Sequence, residues 1–95
     1  MRGGGGAMSL KIRYTRHAEQ KFDVLRRHGF EVRREQVEET LRIPEAIIPQ
    51  EGGRFIAQRA ISRRHLLRVV YREEGETKVV ITFYPARRGR YEGRV

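Results

Sequence analysis

The sequence predicts an α+β fold, with two N-terminal helices packed on one face of a small, mostly antiparallel sheet. Apolar residues in the first half recur at helical spacing between capping residues. The second half carries alternating runs separated by turn residues, which is the pattern of strands. At 95 residues and 38% hydrophobic content, the chain supports one thin core and no second domain. Such a core covers one sheet face and leaves the other to meet a partner.

Met1 to Ser9, with glycine at positions 3 to 6, reads as a disordered leader or an expression scar, and Met8 as a start. Residues 10–95 read as the single domain. Thr15 is a fitting N-cap for a first helix over Arg16–His28, and Gly29 a fitting residue just past its end. Ala18, Phe22 and Leu25 form its buried stripe, with His17, Lys21, Val24 and His28 on the stripe beside it. A second helix is expected over Arg33–Arg42, anchored by Val37 and Leu41 and closed by Pro44. Glu31, Glu35, Glu38 and Glu39 load its early turns, which suits the helix dipole and disfavours phosphate there. Residues 43–53 read as an ordered loop pinned by Ile47 and Ile48.

Three strands are expected, over Arg54–Ile61, His65–Arg72 and Thr77–Tyr84, the last two joined across Glu73–Glu76. Period two puts Leu67, Val69, Tyr71, Val79, Ile81 and Phe83 toward the helices. Leu66, Arg68, Val70, Arg72, Lys78, Val80, Thr82 and Tyr84 then share the open face. In the first strand, the register favoured is the one with Ile56 and Ala60 in the core. It sends Arg59 to the open face and avoids burying an arginine without a partner. A basic segment, Pro85 to Tyr91, follows the last strand.

The charge narrows the partner. Lys and Arg total 21 against 12 Asp and Glu, for a net charge of +9, and only Lys11, Lys21 and Lys78 are lysines. An arginine surplus attracts polyanions, grips phosphate and guanine with a planar fork, and stacks on bases. Nucleic acid is therefore the expected partner; ion-pair networks alone would call for a more even balance of signs. No cysteine is present, so disulfides and cysteine-based zinc sites are excluded, in keeping with a reducing cytoplasm. No apolar run is long enough to span a bilayer, so no membrane partner is expected.

Several local patterns resemble the RelE/ParE-type toxin superfamily. They are His28-Gly29-Phe30, Arg54-Phe55-Ile56-Ala57, Leu67-Arg68-Val69-Val70-Tyr71 and Val80 through Arg88. Within it the chain looks most like the BrnT-like toxins and related uncharacterised domains with a histidine on the first helix. The likeness runs from about Tyr14 to Gly93. It implies a RelE-like fold, a ribonuclease acting on free or ribosome-bound RNA, and a cognate antitoxin. BrnT-like chains carry serine-alanine-arginine where this one has Tyr84-Pro85-Ala86-Arg87, and the proline is expected to interrupt the strand end.

RNA cleavage through the 2′-hydroxyl needs a base, an acid and charge stabilisation at phosphorus, all of which side chains can supply. Histidine transfers protons near neutral pH, typically for about 10²–10⁴-fold in rate. Arginine stabilises the charge developing on the phosphorane, and tyrosine holds a proton or stacks on a base. The expected catalytic residues are His17, Arg68 and Tyr84, and the expected substrate-binding residues are Arg59, Thr82, Arg87 and Arg88. His28 suits a helix C-terminus and His65 a turn at the start of a strand, so both read as structural. No metal-ligand spacing or phosphate-binding glycine loop is present, and no metal or cofactor is expected. The competing readings are a non-catalytic nucleic-acid-binding module using the same face and a protein-interaction domain with an acidic partner.

Overall fold

The computed structural model describes residues 10–91, with side chains through Gly89. The expected leader at residues 1–9 lies outside the described residues. In chain order the elements are β1 (Lys11–Tyr14), α1 (Arg16–Arg27), α2 (Arg34–Arg42), β2 (Ala46–Pro49), β3 (Arg54–Ala60), β4 (His65–Glu74), β5 (Thr77–Arg87) and the single turn α3 (Arg88–Tyr91). The strands form one five-stranded sheet in the order β1-β5-β4-β3-β2. All neighbours are antiparallel except β1, which runs parallel to β5.

α1 is bounded as its ends dictate. The Thr15 hydroxyl accepts from the Ala18 N–H at 3.1 Å. At the other end Gly29 takes φ +83°, its N–H reaches Arg26 O, and the Phe30 N–H reaches Leu25 O, both at 2.9 Å. This double closure turns the chain and seats Phe30 against the core. Ala18 is fully buried, and Phe22 meets Phe83 with ring centroids 4.6 Å apart. α2 contributes Val37, Thr40 and Leu41 to the interior.

Two strands exceed the expectation of three. β1 places Ile12 and Tyr14 against the core and leaves Lys11 outside. β2 forms within the segment expected to be a loop and pairs Ile47 with Ala57. Both are four-residue edge strands, too short for alternation to stand out, and β2 ends on Pro49.

The faces of β5 also differ from expectation. The hairpin turn is only Gly75 and Glu76, since Glu74 faces Thr77, with φ +60° at Gly75. Register then runs evenly to Tyr71 opposite Val80, but Val70 faces Thr82. Ile81 is an extra residue, and this β-bulge inverts the parity of β5. Val80 therefore joins the core with Phe83, and Lys78 stands on the helix side over the Tyr71 ring at 4.9 Å. Both had been expected on the open face. Val79, expected inward, faces Arg72 instead.

β3 adopts the register opposite to the one expected. Ala57 faces Val69 and Phe55 faces Tyr71, which puts Arg59 opposite Leu67 on the helix side. Ile56, Gln58 and Ala60 take the open face. The anticipated penalty of an unpartnered arginine does not arise. Arg59 Nη1 donates to Ile43 O, the cap of α2, at 3.0 Å, and the side chain lies 4.0 Å from both Glu39 and Glu45.

Candidate functional site

With the helices on one side, the opposite sheet face carries a row of polar side chains. Across β3, β4 and β5, Gln58 faces Arg68 and Arg68 faces Tyr84. The hairpin register continued without a bulge would have set Arg68 opposite Phe83; the bulge at Ile81 brings Tyr84 into line. The Arg68 guanidinium lies 5.7 Å from the centre of the Tyr84 ring, within cation–π range. Gln58 is almost fully buried, and its Oε1 accepts no hydrogen bond among the described residues. That buried acceptor is an unmet polar demand at one end of the row.

The next row along the strands is apolar, with Ile56 opposite Val70 and Val70 opposite Thr82. A hollow of about 500 Å³ opens above it, lined by Gln50, Glu51, Arg54, Ile56, Val70 and Tyr84. Beyond it the cations are engaged. Arg13 and Arg72 share Glu74, each at 2.7 Å. These exposed pairs add little stability but lower the positive charge of that end.

α1 borders the site because Thr15 ties its start to the bulge. The Thr15 N–H donates to Val80 O at 3.0 Å, and its hydroxyl donates to Ile81 O at 3.2 Å. One turn on from His17, Lys21 Nζ donates to the Thr82 hydroxyl at 3.4 Å. The stripe beside the buried one thus runs along the edge of β5, which β1 leaves unpaired beyond Val80.

Of the expected site residues, the fold brings together Arg68, Tyr84 and Thr82. His17 is exposed and makes no hydrogen bond or ring contact with any of the three among the described residues. Arg59 is on the other face. Arg87 faces His65 across β4 and β5, also on the helix side, where His65 meets the Phe30 ring edge-on at 4.8 Å. Arg88 secures the β3–β4 turn, with its N–H bonded to Arg64 O at 2.9 Å and its guanidinium 3.4 Å from Ser62 O. Pro85 does not end β5: the strand continues to Arg87, because there it is an edge with only β4 beside it.

Sequence reasoning missed Lys21 and Gln58 as site residues. Lys21 was visible on the stripe with His17, and Gln58 as the polar residue between Ala57 and Arg59. Among the described residues no three of His, Asp and Glu come together in a way that could hold a metal ion. No described helix is long and apolar enough to cross a membrane.

No protein-family model matches the chain, and no curated protein does. Among solved structures it is similar to the Brucella abortus ribonuclease toxin BrnT, with a TM-score of 0.52. The two share a fold. The match covers 82% of this chain and 97% of the Brucella toxin at 18% sequence identity. At that identity, the likeness to the Brucella toxin extends to the arrangement of helices and strands and assigns no residue a role.

Proposed function

We propose that this chain is a metal-independent endoribonuclease of the toxin type, cleaving RNA through the 2′-hydroxyl and restrained by an antitoxin that covers the open face. The observation that carries the proposal is the Gln58–Arg68–Tyr84 row on the uncovered face of a fold shared with a ribonuclease toxin. A net charge of +9 supports an RNA partner in the cytoplasm.

In the proposed reaction the 2′-oxygen attacks phosphorus and the bond to the 5′-oxygen breaks, leaving a 2′,3′-cyclic phosphate and a 5′-hydroxyl. Arg68 offsets the charge that builds on the non-bridging oxygens, and Tyr84 gives its proton to the departing 5′-oxygen. Lys21 and Thr82 steer the backbone over the edge of β5. His17 takes the 2′-hydroxyl proton where bound RNA crosses that edge.

Incubation with RNA, with and without ribosomes, followed by mapping of the ends, tests this reading. Cleavage that survives EDTA and leaves 2′,3′-cyclic or 3′-phosphate ends is expected. Tyr84→Phe and Arg68→Ala should each lower turnover by about 10²-fold or more. Activity that vanishes with EDTA and returns with magnesium would refute the mechanism.

The lack of a hydrogen bond between His17 and the row among the described residues favours a second reading, a binding module without catalysis. Tight RNA binding with no cleavage by the folded wild-type chain selects it.

A further inference from the structure

The hollow beside Tyr84 has a chemistry of its own. Its floor is Ile56 and Val70, which face each other across β3 and β4, and the Tyr84 ring forms one wall. The opposite wall is the β2–β3 loop with Gln50 and Glu51, and Arg54 at the start of β3. The Gln50 N–H closes this loop onto Arg54 O at 2.8 Å, and φ values of +79° and +75° at Gly52 and Gly53 make the turn. The Arg54 guanidinium folds back along the loop, so that a Cβ on Gly52 would sit 3.7 Å from Nη2.

Glu51 and Arg54 carry opposite charges on one small hollow, yet they do not pair. Among the described residues neither makes a side-chain hydrogen bond or ion pair, whereas Glu19, Asp23 and Glu74 are each held by arginine at 2.8 Å or less. An apolar floor with an aromatic wall suits a flat ring. A carboxylate and a guanidinium on the same rim suit a ring with donors on one edge and acceptors on another.

We infer that the hollow is a binding subsite for an unpaired guanine. Glu51 accepts from N1–H and the N2 amine, Arg54 donates to O6 and N7, and the ring lies on Ile56 and Val70 beside Tyr84. Adenine has no donor at N1 and an amine in place of O6, so it opposes both groups. Only a base outside a duplex exposes both edges, which makes single-stranded RNA the substrate class. The volume of about 500 Å³ falls in the range of small-ligand pockets, about 300–1,000 Å³. This inference rests on the ribonuclease reading for its biological setting, since Tyr84 is shared between the hollow and the proposed reaction centre.

Titration of the full chain with guanosine 5′-monophosphate and adenosine 5′-monophosphate, followed by the methyl resonances of Ile56 and Val70, tests it without cleavage. Guanosine monophosphate should bind about tenfold more tightly than its adenosine counterpart. Glu51→Gln, a change on an exposed loop, should reduce that preference to within about twofold, and inosine monophosphate should lose part of the preference in the wild type. Equal affinity for the two nucleotides, or no methyl shift with either, overturns the inference even if RNA is cleaved. Guanine selectivity in a protein that cleaves no RNA upholds the subsite and removes the ribonuclease reading instead.

Discussion

The two faces of the sheet are built from the same central strands, yet one is a dry core and the other a polar bed. On the helix side Ala57, Leu67, Val69, Tyr71, Val80 and Phe83 pack beneath α1 and α2. On the far side the same strands present Gln58, Arg68, Thr82 and Tyr84 around the smaller apolar floor of Ile56 and Val70. The division depends on one residue. Without Ile81 as an extra residue, β5 would keep its hairpin register and turn Thr82 and Tyr84 toward the helices and Phe83 away. The bulge that completes the core is therefore also what puts Tyr84 opposite Arg68.

Inserting one alanine between Thr82 and Phe83 breaks this comparison most severely. The insertion slips the rest of β5 by one residue against β4 and exchanges Phe83 for Tyr84 in the core, whereas deleting the extra Ile81 leaves Thr82, Phe83 and Tyr84 opposite Val70, Val69 and Arg68. Loss of cooperative unfolding, or destabilisation beyond the about 3–5 kcal/mol of a large core truncation, is expected in a denaturant titration. An insertion variant as stable as wild type would mean that the register of β5 does not set the faces.

Substitutions at adjacent positions sharpen the contrast. Phe83→Ala should cost about 3–5 kcal/mol, because Phe83 is fully buried and packs against the tilted Phe22 ring. Tyr84→Phe should change stability by no more than about 0.5 kcal/mol while depressing RNA cleavage. Equal stability losses at the two positions would place Tyr84 in the core after all.

A smaller effect comes from Tyr14, whose hydroxyl donates to Glu38 at 3.1 Å on the helix side. Burial first, and then the neighbouring Glu38 carboxylate, hold its phenol well above the ordinary tyrosine range, outweighing the opposing pull of Arg34. The folded state thus favours the protonated phenol. The stability this gives is fully present below the unfolded pKa of about 10 and is lost as pH rises above it toward the folded value. Tyr14→Phe should lose about 1 kcal/mol at neutral pH and show a flatter decline above about pH 10. An identical alkaline slope in the two proteins would contradict the assignment.

The fold class and both helices were legible in the sequence because Thr15, Gly29 and Pro44 mark boundaries through local backbone chemistry. The open-face placement of Arg68, Thr82 and Tyr84 was legible through period two. Their alignment was not, because the run Val79 to Phe83 is β-prone throughout and no residue in it marks the extra position. The face of Arg59 was misread for a related reason. The rule against burying an unpartnered arginine is sound, but its partner, the terminal carbonyl of α2, is 16 residues away in sequence. Arg87 and Arg88 were expected at the site from charge alone, and charge does not specify a face.

The most direct test of the central claim, that the open face receives RNA, is a residue-by-residue NMR titration with a short single-stranded RNA, repeated over a range of salt. The largest shifts should fall on Gln58, Arg68, Thr82 and Tyr84, with Glu35, Glu38 and Glu39 of α2 unmoved. The log of the affinity should fall with log salt by about 0.7 per phosphate contacted. Shifts concentrated on α2, or an affinity indifferent to salt, would contradict it.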